Sequence, residues 1–205
     1  ISYKGIFPQN RIFAWKDMIR IDPIRYIIMH SVTYRTRILR ESGVKLPNHT
    51  FYVDNLVLYI PLPLVKNICY INVDFYRYYI GRVDQSVNEQ VMVKRVDQQI
   101  KVTNLLLESH DLNSISKASP KLAKYMLYYL SIMYTITATL LALDNSKEAD
   151  EKSKVLWDKL KSTNTKAYRK IRYFSKAFFM AIPGKNGKSI SRFIYRIARK
   201  VYKFN

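Results

Sequence analysis

Residues 49–86, HTFYVDNLVLYIPLPLVKNICYINVDFYRYYIGRVDQS, set one carboxylate, Asp54, between two apolar runs. Phe51, Tyr52 and Val53 precede it and Leu56 to Ile60 follow, which puts Asp54 at the rim of a core. The local reading is a helix start. Asp accepts hydrogen bonds from free first-turn amides, and Pro61 ends the helix. Beyond Pro61 and Pro63, VKNICYINVDFYRYYI has the β-branched and aromatic content of extended structure, with a break near Asn72 to Asp74 and an end at Gly81. The following Arg82, Gln85 and Ser86 gather a guanidinium, an amide and a hydroxyl suited to phosphate or sugar oxygens. A polar turn ahead of a helix accounts for the same residues.

Upstream, residues 15 to 21 read as a helical turn, 25 to 34 as a strand rich in Ile and Tyr, and 35 to 42 as a short helix ended by Gly43. His30 follows the apolar YIIM and stands near Ser31 and Tyr34. A lone histidine ending a strand is more often structural than catalytic.

Taken together, MHSVTYRTRILRESGVKLPNHTFYVDN (29–55) and YRYYIGRVDQS (76–86) resemble the second half of a family-two glycosyltransferase catalytic domain. The elements occur in the family's order: a His-Ser then Tyr-Arg segment, the acid, a two-strand-like run, and Gly-Arg-x-x-Gln-Ser. The resemblance spans roughly residues 1 to 100. It implies the GT-A fold and an inverting transfer of sugar from a nucleotide-sugar donor to a hydroxyl of a glycan or lipid-linked acceptor. Asp54 would be the base that deprotonates that hydroxyl. Val53 stands where the family usually has a first acid. The resemblance puts His30 on the floor of the acceptor side, and Arg82, Gln85 and Ser86 over donor or acceptor. It also implies a divalent metal, Mn or Mg, held mostly by an Asp-x-Asp motif that these residues lack, and an upstream nucleotide-binding half. The chain, beginning at Ile1, then reads as a carboxy-terminal portion, inactive alone.

The rest of the chain reads as helical. From Asn88 to about Glu108, Val91, Val96, Ile100 and Leu105 recur at the spacing of a long amphipathic helix. A second helix spans 120 to 143, with Pro120 suited to its first turn and Ser119 to its cap. Nineteen residues between Lys124 and Asp144 carry no charge. That length, about 28 Å as helix, falls just short of a bilayer core, and Ser131, three threonines and four tyrosines favour a buried bundle helix over a membrane span. Helices over 146–161, 164–181 and 188–203 complete the series. The expected fold class is α+β, predominantly α-helical: a partial GT-A catalytic segment with a few strands over 1–87, then a helical bundle over 88–205.

Composition narrows the function classes. The net charge is +20, and residues 159–205 hold 14 Lys or Arg and no acid. A basic amphipathic tail suits an anionic membrane surface, and equally a packed helix with a solvated basic face. The expected location is therefore cytoplasmic, peripheral at the inner face of the cell membrane. The alternative is a non-enzymatic helical module binding nucleic acid or that membrane surface, with nucleic acid the less favoured partner. The single cysteine, Cys69, excludes an internal disulfide and is expected to be a buried thiol. His30, His49 and His110 lack the spacing of a zinc site. Gly187-Lys188-Ser189 fails as a phosphate loop because Ile182 stands where its first glycine belongs.

Overall fold

The computed structural model describes residues 2–21, 25–77, 79, 88–144, 146–175, 189, 193, 195 and 196. They form eight α-helices and one two-stranded sheet, the helix-rich α+β class. The chain divides into two compact units. Ile1–Tyr78 with Glu108–Tyr129 forms one, and Tyr79–Leu107 with Leu130–Asn205 forms the other. Residues 108–129 thus belong to the first unit, although they follow part of the second in the chain.

The first unit is built on an aromatic core. Its sheet pairs β1 (Ile12–Phe13) antiparallel with β2 (Ile68–Cys69). Two short helices follow in order, α1 (Thr36–Glu41) and α2 (Asp54–Tyr59). Gly43 at φ +62 ends α1 in the left-handed conformation that glycine tolerates, as its position after the apolar run predicts. Leu56, Leu58 and Tyr59 of α2 are buried, and a 3-10 turn over Leu62–Leu64 continues past Pro61. The core receives Tyr125 and Tyr129 from the first half of the helix Pro120–Asp144, which starts at the predicted proline. Trp15 stacks on Tyr125 with ring centroids 5.6 Å apart, and Tyr59 lies 5.7 Å from Tyr129.

The first unit departs from three sequence expectations. Residues 25 to 34 make no strand. Residues 25–28 run without a sheet partner and Met29–Ser31 form a 3-10 turn, stabilised by the Ser31 hydroxyl donating to the Ile28 carbonyl at 2.7 Å. Among its described residues the long run after Pro63 yields only Ile68–Cys69 as strand, and Ile71, Val73 and Phe75 beyond it are exposed. β propensity reflects packing against a neighbour, and among the described residues of this run only Ile68, Cys69 and Tyr70 find a backbone partner, Tyr70 through a single bridge to Gln9. Cys69 is exposed, because the two-residue strand turns its side chain outward.

The second unit is helical. The expected single helix from 88 is two, α3 (Glu89–Lys94) and α4 (Val96–Ser109), separated at Arg95, whose φ of −109 and ψ of 21 leave the helical region. The buried residues of α4 are Val96, Gln99, Val102, Thr103, Leu106 and Leu107; of the predicted Val91, Val96, Ile100 and Leu105, Val96 is buried and the other three are half-buried. Helices α5 (Leu112–Ala118), α6 (Pro120–Asp144), α7 (Lys147–Thr163) and α8 (Thr165–Phe174) complete the series, α5 lying in the first unit. Asn88, Ser146 and Asn164 each accept from a first-turn amide, as cap residues do.

In the second unit, a buried chain of hydrogen bonds threads the apolar contacts. Gln99 Nε2 donates to Thr103 Oγ1 at 3.4 Å, and Thr103 and Thr137 hydroxyls lie 2.9 Å apart. Thr137 in turn donates to the Met133 carbonyl at 2.7 Å. Threonines that weighed against a membrane span thus serve the bundle. α6 has mean hydropathy 1.6 over an 18-residue window and 61% of that window is buried, the pattern of a core helix. α8 buries Ala167 and Ile171 and packs on α7, with Trp157 edge-on to Tyr168 and Arg172 above the Trp157 ring. Its Lys166, Arg169 and Lys170 remain exposed. In the described part of the tail, α8 thus has one buried face and one exposed basic face.

Candidate functional site

Asp54 opens α2 inside the first unit. It is the first helical residue, not the cap: Val53 holds the cap position and makes no side-chain cap bond. The carboxylate Oδ1 accepts from the Asn55 side-chain amide at 3.4 Å, and the positive end of the helix favours its charge. Burial works against the charge and dominates. The Asp54 pKa is therefore raised above the usual carboxylate value, with backbone amides and the nearby His30 pulling it back in smaller measure.

His30 reaches Asp54 because the 3-10 turn over Met29–Ser31 packs against α2. Its ring stacks on Tyr76, centroids 4.7 Å apart and planes within 6°. Two tyrosines complete the surroundings. Burial raises the pKa of Tyr26 and of Tyr129, and the Asp54 charge adds to both shifts, so each hydroxyl keeps its proton at neutral pH. Tyr26 meets Tyr129 edge-on at 5.8 Å.

Asn55 fixes the geometry. Its side-chain amide donates to the Tyr52 carbonyl at 2.9 Å, its backbone amide donates to the same oxygen at 3.2 Å, and its Oδ1 accepts from the Tyr129 hydroxyl at 2.7 Å. The clamp holds Tyr52 at φ +67, a conformation most non-glycine residues avoid. Strain of this kind persists where surrounding contacts over-determine it, often at functional sites. What results is a half-buried carboxylate near an imidazole and close to two phenols that keep their protons. Such a group can accept a proton from a bound hydroxyl.

No family model, curated protein or solved structure matches this chain.

Of the residues singled out in the sequence, Asp54 and His30 are brought together. Arg82, Gln85 and Ser86 lie outside the described residues. Among the described residues no three His, Cys, Asp or Glu side chains gather to hold a metal. Sequence reasoning missed Asn55, Tyr26, Tyr76 and Tyr129. Only Asn55 carried a signal, its place directly after the acid; Tyr129 sits 74 residues away in a helix that reads as plain core.

Proposed function

We propose that this chain is the acceptor-side part of an inverting, nucleotide-sugar-dependent glycosyltransferase of the GT-A class, acting in synthesis of a cell-surface polysaccharide or glycoconjugate, with Asp54 as general base. The observation that supports the reading is the half-buried Asp54 at the start of α2, with the 3-10 turn that carries His30 packed against that helix. These are the two residues the family resemblance assigns to the acceptor side.

An acceptor hydroxyl is a poor nucleophile at neutral pH. A carboxylate within hydrogen-bond reach removes its proton as the oxygen attacks the anomeric carbon, and the proton ends on Asp54. Raising the carboxylate pKa strengthens the base. Asn55 is a positioning residue, holding the first turn of α2 against Tyr129 and Tyr52. His30 steadies the carboxylate charge and offers the acceptor a second hydrogen-bonding group. A divalent metal would supply charge compensation at the leaving diphosphate. The described residues do not form a site for it, and the chemistry assigned to this chain is proton removal and acceptor orientation. Asp54→Asn in the protein carrying the implied nucleotide-binding half tests the reading: transfer is expected to collapse while donor binding persists.

A further inference from the structure

The first unit contains a cavity that the catalytic reading does not use. Its volume is about 890 Å³, within the usual range for small-molecule sites, and neither Asp54 nor His30 lines it. Its aromatic walls include Tyr3, Trp15 and Tyr34. Their polar tips are already engaged. The Tyr3 hydroxyl lies 2.8 Å from Ser31 Oγ, Trp15 Nε1 donates to the Val65 carbonyl at 3.1 Å, and the Tyr34 hydroxyl donates to the Leu58 carbonyl at 2.7 Å. These side chains therefore offer a guest ring and hydrocarbon surface rather than hydrogen bonds. Ile12 and Leu64 line the same space and stand 71% and 40% exposed, apolar area that a guest would remove from water.

Charge sets the other half of the requirement. Arg35, Arg37 and Lys66 line the cavity. Glu41 holds Arg37 at 3.3 Å, whereas no ion pair among the described residues engages Arg35 or Lys66, both exposed. Apolar walls beside two uncompensated cations match one kind of guest. We propose that this cavity binds a small amphipathic anion, a phosphate or carboxylate head on an apolar chain, with the chain against Trp15 and Leu64 and the head on Arg35 and Lys66. The assignment does not depend on the role of Asp54.

Calorimetric titration of the full chain with octyl phosphate, octanoate, octanol and inorganic phosphate tests it. At least one of the two amphipathic anions binds saturably at one site per chain, and the other arm shows which head is preferred. Octanol and inorganic phosphate each bind at least about tenfold more weakly, because each lacks one half of the match. Arg35→Gln with Lys66→Gln, both at exposed positions, lowers affinity for the anion about tenfold and flattens its salt dependence while leaving octanol unchanged. Unchanged anion affinity in that variant overturns the proposal. So does inorganic phosphate binding as tightly as octyl phosphate, the absence of saturable binding, or heat accompanied by loss of helix, which would be detergent action.

Discussion

Asn55→Ala is expected to destabilise the first unit far more than its single-residue size implies. Asn55 makes three side-chain bonds, to the Tyr52 carbonyl at 2.9 Å, to Asp54 Oδ1 at 3.4 Å and from the Tyr129 hydroxyl at 2.7 Å. Tyr129 is only 2% exposed, so its hydroxyl has no ready access to water. Losing an ordinary hydrogen bond costs about 1 kcal/mol, and a buried hydroxyl left without an acceptor about 1–3 kcal/mol, giving about 2–4 kcal/mol for Asn55→Ala. Tyr129→Phe deletes the same bond from the other end but takes the buried hydroxyl with it. Its ring contacts with Tyr26 and Tyr59 survive, and the expected loss is about 1 kcal/mol or less. Urea unfolding followed by far-ultraviolet circular dichroism measures both, at unchanged denaturant slope. An Asn55→Ala loss no larger than that of Tyr129→Phe would refute the clamp.

Thr137→Val breaks the buried chain of the second unit, leaving the fully buried Thr103 hydroxyl without its acceptor, and should cost about 1–3 kcal/mol by the same unfolding assay. His110, whose pKa is lowered by burial while its Nε2 bonds the Ile60 carbonyl at 2.9 Å, contributes stability that is present above pH 6.5 and lost as pH falls toward the lowered value. His110→Gln should remove that part of the acid sensitivity in melts taken across the window. Asp54 has the opposite sign. With its folded pKa raised above 3.8, stability falls as pH rises through the interval between the two values, so Asp54→Asn should melt at or above the wild-type temperature at neutral pH and match it in acid. The chain should bind vesicles of anionic lipid in preference to neutral ones, with binding weakening as salt rises, since 14 basic residues in 159–205 face no acid in that segment. Equal partitioning to both lipids would contradict this.

Local signals were legible where the residue itself does the work. Pro120 opens α6, Gly43 ends α1, and Asp54 starts a helix that stops before Pro61. Strands were not legible, because Ile, Tyr and Val favour a sheet only when a partner strand exists. Among the described residues Ile68 and Cys69 find Ile12 and Phe13, while Val73 and Phe75 find none. The break at Arg95 has no composition signal, since neither Gly nor Pro marks it. At the site, a carboxylate at the rim of a core was readable from Asp54 and its apolar flanks. The company it keeps was not. His30 is 24 positions away and Tyr129 is 75, and both arrive through tertiary packing. The expected cap role also failed for a local reason: the chain is already helical at Val53, so Asp54 enters the first turn as a charge near the dipole and not as the cap.

The function–stability contrast at Asp54 separates a catalytic carboxylate from a structural one. A carboxylate kept partly buried at a cost to the fold is a candidate for work in the reaction. Sugar transfer by the Asp54→Asn protein, assayed with the nucleotide-binding half present and with donor affinity measured in parallel, tests this most directly. Loss of transfer by a factor of roughly 100 to 10,000 with unchanged donor affinity is the expected result for a missing general base. Near-normal transfer by Asp54→Asn would contradict the account.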